Sequence, residues 1–214
     1  MRNNQIIQII LLVLLVAGCS NLGDAGKKGR SSASREQAGA KEVNPSMLLS
    51  AAKNNDLPGV RTLLKQGVEV NALDENDRSA LMWASYEGYT DIMESLISNG
   101  ADPNLRDING RTALMFAASG PFPGAVRLLL GKGADVNVQD TEEHYTALMY
   151  AAAEGQLENV KLLIEYGADP LLKDVDNDNA LIFARNNNHQ EVADYLERYL
   201  NKKFQIDSGK ELAH

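Results

Sequence analysis

Few residues in this chain have the types and spacing that chemistry requires. Cys19 is the single thiol, which excludes an intrachain disulfide. The histidines His144, His189 and His214 show no ligand spacing, so they imply no metal site. The run Asp174-Val175-Asp176-Asn177-Asp178-Asn179 opens like a calcium loop, but such a loop needs Gly at its sixth place and a bidentate Glu at its twelfth. Asn179 and Arg185 stand there instead. A hairpin followed by an Asn helix cap accounts for all six residues; a weak calcium site is the alternative. Met82, Met115 and Met149 recur in one context, suited to interior filling, with oxidant sensing as the alternative. No nucleophile, base or cofactor-binding set emerges, so the chain reads as a non-enzyme with no cofactor.

The charge distribution narrows the partners. Net charge is -8. Arg2 contributes +1 and Ser20 to Val43 contributes +2 (Lys27, Lys28, Arg30, Arg35 and Lys41 against Asp24, Glu36 and Glu42), which leaves -11 on Asn44 to His214. Such a surface repels a phosphate backbone, because nucleic-acid affinity rests on cations that displace counterions. DNA and RNA are poor candidate partners, and a partner with a basic patch is favoured by electrostatic complementarity.

Arg2 precedes an apolar run, Ile6 to Val16, interrupted only by Gln8. It is too short for the roughly 20 residues of a transmembrane helix and reads as a secretory signal. The run closes in Val16-Ala17-Gly18-Cys19, which resembles the lipobox of bacterial lipoproteins. The resemblance implies cleavage between Gly18 and Cys19, with diacylglycerol on the Cys19 thiol and acylation (palmitate) of the new amino group. An uncleaved anchor or a soluble secreted form are the alternatives. In Gram-negative lipoproteins the residue after the cysteine helps choose the membrane, and Ser20 leans toward the outer one, with the protein facing the periplasm. Ser20 to Val43 is rich in Gly, Ala, Ser and Lys; it lacks the apolar surface to offset ordering and reads as a tether.

Beyond it the chain repeats. Gly67, Gly100, Gly133 and Gly167 return at steps of 33, 33 and 34, within QGVEVNALD, NGADPNLRD, KGADVNVQD and YGADPLLKD. In phase with them run SALMWAS, TALMFAA, TALMYAA and NALIFAR. Ser46, Ser79, Thr112, Thr146 and Asn179 are suited to cap helix N-termini, and the glycines suit left-handed helix ends. Two short helices fit between each cap and glycine, joined at Asn55, Gly88, Gly155 and Asn188. Turn formers such as Asn109-Gly110 follow. Each unit is therefore helix, turn, helix and projecting hairpin.

At these residues the chain resembles the ankyrin repeat family, whose units open on Thr-Pro-Leu-His and close on Gly-Ala-Asp-Val-Asn. The resemblance implies an all-α solenoid of about five helix-turn-helix units with projecting β-hairpin loops. Ala80, Ala113, Ala147 and Ala180 replace the family Pro, and Met82, Met115, Met149 and Ile182 replace the His, so apolar contacts must take over from the Thr–His hydrogen bond. Gly120-Pro121-Phe122-Pro123-Gly124 interrupts the third unit's turn, the fourth finger has one additional residue, and the fifth unit lacks its closing glycine. The expected organisation is a signal peptide (1–18), lipidated Cys19 and linker (19–44), repeats over 45–200 (45–75 as N-terminal cap, 76–108, 109–141, 142–175, and 176–200 as C-terminal cap) and a tail (201–214).

The family generally binds proteins along a concave surface of finger tips and first helices. The matching positions here are Asp74, Asn76, Asp77 and Arg78; Asp107, Asn109 and Arg111; Glu142, Glu143, His144 and Tyr145; with Tyr86 and Phe122 as aromatic contacts. Trp83, Phe116 and Tyr150 face either a partner or the neighbouring units. The functional expectation is a membrane-anchored, monomeric protein-binding module of the bacterial envelope, a scaffold or stabiliser. An immunity-type inhibitor of a periplasmic toxin and a passive spacer are the alternatives.

Overall fold

The structure, a computed structural model, describes residues 44–207. The expectations for the signal peptide, the Gly18–Cys19 cleavage, Cys19 lipidation, the tether before Asn44 and the tail after Asp207 lie outside the described residues.

Among the described residues ten helices follow in pairs: α1 (Pro45–Lys53) and α2 (Leu57–Lys65), α3 (Ala80–Tyr86) and α4 (Thr90–Ser98), α5 (Ala113–Ser119) and α6 (Pro123–Gly131), α7 (Ala147–Ala153) and α8 (Leu157–Glu165), α9 (Ala180–Asn186) and α10 (Gln190–Asp207). Among the described residues there is no extended strand, and the fingers are turns with one antiparallel bridge, Leu73 to Ser79. The architecture is an all-α repeat solenoid.

The first helices α1, α3, α5, α7 and α9 pack in one row, and the second helices line up behind them. Small side chains permit this close approach: Ala84, Ala117, Ala151 and Ala184 form a fully buried file through the first helices. Leu48, Leu81, Leu114 and Leu148 form another, and Val60, Met93, Val126, Val160 and Ala193 a third through the second helices. Each fully buried Leu, Val or Met side chain contributes about 1.5–3 kcal/mol, and the alanines contribute closeness rather than area. The register of 33 or 34 residues is thus held by a core that repeats layer by layer.

The polar markers do what their spacing implies, with two exceptions. Ser79, Thr146 and Asn179 accept the third-residue N–H of their helices. Thr112 occupies the cap position of α5 without a side-chain cap bond. Ser46 is not the first cap: Asn44 is, accepting from the Ser46 N–H at 3.0 Å. Pro45, preset for a first helical position, starts α1 ahead of Ser46. The family's Thr–His bond has a partial substitute in the fourth unit, where Met149 Sδ accepts the Thr146 N–H at 3.4 Å.

All four closing glycines lie at φ between 80° and 91°, and the N–H of the following residue donates back over the helix end, as from Ala101 to the Leu96 carbonyl. The last unit has no such end. Its second helix α10 runs through the boundary expected at 200 and continues to Asp207.

Candidate functional site

The fingers are built around a file of aspartates. Asp74, Asp107, Asp140 and Asp174 each use Oδ1 to accept two backbone N–H groups of their own hairpin. The fourth hairpin closes over six residues, Asp140 to Tyr145, where the second closes over five, Asp74 to Arg78. His144 absorbs the additional residue at φ 60°.

Neighbouring fingers are also stitched together. Ile108, Thr141 and Val175 donate their N–H groups to the carbonyls of Asn76, Asn109 and Glu143. At the finger bases Asn71, Asn104 and Asn137 each donate to the closing-glycine carbonyl of the next unit and accept the N–H of Asp102, Asp135 or Asp169. Leu171 stands at the next place in that file and is exposed. No closing glycine follows there, so the apolar residue marks where stacking stops.

The second oxygen of each finger aspartate looks toward the first helices, and here the units diverge. Asp74 Oδ2 accepts the Trp83 indole N–H at 3.0 Å. Asp107 Oδ2 accepts two bonds from the Arg111 guanidinium, at 3.0 and 2.8 Å, and lies 3.8 Å from Arg78 Nε. Asp140 Oδ2 accepts the Tyr150 hydroxyl at 3.1 Å. Burial, first, and the Asp140 charge push the Tyr150 hydroxyl well above the usual tyrosine range, so it stays a donor.

Trp83, Phe116, Tyr150 and Phe183 occupy one equivalent position on successive first helices. Phe116 is buried and the other three are half-buried. The Lys53 ammonium lies 4.3 Å and the Arg78 guanidinium 5.1 Å from the Trp83 ring centre, and Arg111 lies 4.9 Å from that of Phe116. Tyr86 meets Phe116 edge-on at 6.2 Å. Tyr145 meets Tyr150 at 5.8 Å and Phe183 at 5.1 Å.

These contacts sort the residues singled out in the sequence. Arg78, Asp107 and Arg111 are buried and engaged with one another. Asp74 is half-buried and organises its own hairpin. Phe122, also half-buried, lies across the backbones of Gly88 and Gly120, where any added β-carbon would collide with its ring. Asp77, Glu142 and His144 are exposed at the tips, and Asn76, Asn109, Glu143 and Tyr145 are half-buried beside them, whereas Tyr86, also half-buried, lies at the far end of α3 against Phe116.

Two residues escape a reading by motif. Asn159 in α8 is buried and donates to the carbonyls of Ala118 and Gly120. Ile108, at the third fingertip, is an apolar residue 62% exposed. Among the described residues no group of three or more His, Cys, Asp or Glu side chains is arranged to hold a metal ion.

A family profile described as "Ankyrin repeats (3 copies)" matches residues 17–107, 48–140 and 114–208. The chain belongs to the ankyrin repeat family. That family is typically a non-catalytic protein–protein interaction fold, in keeping with a site made of rigid fingers and aromatic first-helix positions. No curated protein matches the chain.

Proposed function

We propose that this ankyrin-repeat protein is a lipid-anchored module of the bacterial envelope that holds a protein partner along its fingers and first helices, as a scaffold or stabiliser. The observation that carries the binding reading is the contrast between frame and tips. The finger backbones are fixed by buried aspartates and by N–H bonds from finger to finger, while Asp77, Ile108, Glu142 and His144 project from that frame with different chemistry in each unit. Rigid presentation of varied side chains lowers the entropy lost on binding. The excess of carboxylates favours a basic patch on the partner.

Anchoring rests on Val16-Ala17-Gly18-Cys19 and the apolar run before it. Two or three acyl chains there would give stable membrane attachment, and Ser20 favours the outer membrane on its periplasmic side. Cys19→Ser should abolish metabolic labelling with a palmitate analogue and release the protein from the membrane fraction. Labelling that survives the substitution would refute the anchor.

Capture from detergent-solubilised envelopes tests the binding reading. The chain should retain a specific partner that an Asp77→Asn, Glu142→Lys variant loses while keeping its unfolding temperature. Equal retention by both would favour a spacer; a retained toxin whose activity the chain blocks would favour the immunity-type inhibitor.

A further inference from the structure

The internal repetition allows one unit to be compared with another. In the second and third units the residue five before the aromatic is arginine: Arg78 before Trp83 and Arg111 before Phe116. Each guanidinium lies against its ring, and both approach the Asp107 carboxylate. In the third unit the chain thus fills the notch between Asp107 and Phe116 with its own Arg111.

The fifth unit keeps the notch and changes the filling. Asp174 corresponds to Asp107 and Phe183 to Phe116, but Asp178 stands where the arginine would be. Asp174 is only 8% exposed, and its Oδ1 is committed to the N–H groups of Asp176 and Asp178. Its Oδ2 receives no side-chain donor comparable to Trp83, Arg111 or Tyr150 among the described residues. Phe183 is half-buried, touched by Tyr145 from the previous unit.

The surrounding charge has one sign. Asp140, Glu142, Glu143, Asp174, Asp176 and Asp178 crowd two adjacent fingers. The ion pairs among the described residues are Arg78–Asp107, Arg111–Asp107, Lys161–Glu158 and Arg185–Glu197, so none of these six is paired with a cation among the described residues. A cation over an aromatic face, backed by a desolvated carboxylate, is stabilised by both.

We propose that the Asp174–Phe183 notch of the fifth unit receives an arginine side chain from the protein partner, which takes the place that Arg111 occupies between Asp107 and Phe116 in the third unit. This rests on the protein-binding reading above and adds to it the chemistry and the end of the stack at which the partner is read. The planar guanidinium fits the notch better than an ammonium, because it stacks on a ring while donating to a carboxylate.

The chain contains four phenylalanines, so uniform 4-fluorophenylalanine labelling of the full chain in detergent gives four fluorine signals, assignable by single Phe→Leu variants. The probe is the tetrapeptide Gly-Arg-Arg-Gly, with Gly-Glu-Glu-Gly as control and calcium alone as a separate arm. The arginine peptide should shift the Phe183 signal and leave that of Phe116, already covered by Arg111, in place. Asp178→Arg, which installs the arginine of the second and third units and disturbs no side-chain bond, should weaken the peptide's effect at least about tenfold, the loss of one charge-assisted contact.

Equal shifts at Phe116 and Phe183, an Asp178→Arg chain that responds like the parent, or a Phe183 signal that moves with calcium and not with the peptide would each overturn the proposal. If the peptide fails while fingertip cross-linking still captures a partner, only this assignment falls. If both fail, the protein-binding reading falls with it.

Discussion

The side-chain amide of Asn159 donates to the Ala118 carbonyl at 3.0 Å, the bond that the third unit's own turn cannot supply. In the second, fourth and fifth units the equivalent carbonyls, of Ser85, Ala152 and Arg185, accept the N–H of Gly88, Gly155 and Asn188. The residue at that place in the third unit is Pro121, which has no N–H. Asn159 replaces the missing donor from the next unit, and it also donates to Gly120 at 2.7 Å.

Asn159→Ala should therefore cost about 1–3 kcal/mol, the penalty of stranding buried carbonyls, measured by denaturant unfolding. In a Pro121→Gly background the same substitution should cost less, because the local N–H is restored. Equal cost in both backgrounds would show that the amide does not compensate for the proline.

Asp107 carries more of the finger frame than any other residue. Its side chain is fully buried and receives two backbone N–H groups and the Arg111 guanidinium. Asp107→Ala leaves Arg78 and Arg111 as like charges with no carboxylate between them, and should destabilise by about 3–5 kcal/mol. Glu142→Ala, at an exposed tip, should change stability by less than about 0.5 kcal/mol.

Two glycines with the same backbone sign should respond differently to alanine. Gly100, at φ 91°, has open space around its missing side chain, so Gly100→Ala should cost about 1–2 kcal/mol from left-handed strain alone. Gly88, at φ 72°, has the Phe122 ring against it. Gly88→Ala should cost more than Gly100→Ala, and Phe122→Ala should narrow the difference; thermal unfolding of the four proteins reads this directly.

Acid should relieve strain in the last two fingers. Burial holds the Asp174 carboxyl above its ordinary range despite the backbone N–H bonds that lower it. Burial does the same to Glu143, helped by Asp140, Asp176, Asp174 and Glu142. A carboxyl whose folded pKa is raised binds its proton more tightly when folded, so its contribution to stability grows as pH falls through the raised value and is complete below the unfolded one. Asp174→Asn, which keeps the oxygen that accepts from Asp176 and Asp178, should melt higher than the parent at about pH 7, with the gap closing toward about pH 4. A gap that widens in acid would contradict this.

The repeat was legible because its signals are local. A glycine at φ of 80° or more or a side-chain oxygen at a helix start meets a demand of one residue and its near neighbours, so Gly67, Gly100, Gly133 and Gly167, with Ser79, Thr146 and Asn179, could be read in phase. The interrupted turn at Pro121 was legible for the same reason. Its remedy was not: Asn159 lies 41 residues from Ala118, and nothing local separates a buried asparagine on α8 from an exposed one. The direction of the finger residues was equally hidden, since Arg78 and Arg111 as residue types suit a surface as well as an ion pair, and only the Asp107 carboxylate beneath them decides. Ser46 misled because the preceding Pro45 moves the helix start back to Asn44.

The central claim is that the finger side of this ankyrin stack grips a protein. Site-specific photo-cross-linking in living cells tests it most directly, with the reactive group placed in turn at the exposed fingertip positions Asp77, Glu142 and His144 and at Lys132 and Glu165 on the second-helix side. The same partner should be trapped from the three fingertips and not from Lys132 or Glu165. Adducts from the second-helix side alone, or none from any fingertip, would contradict the account.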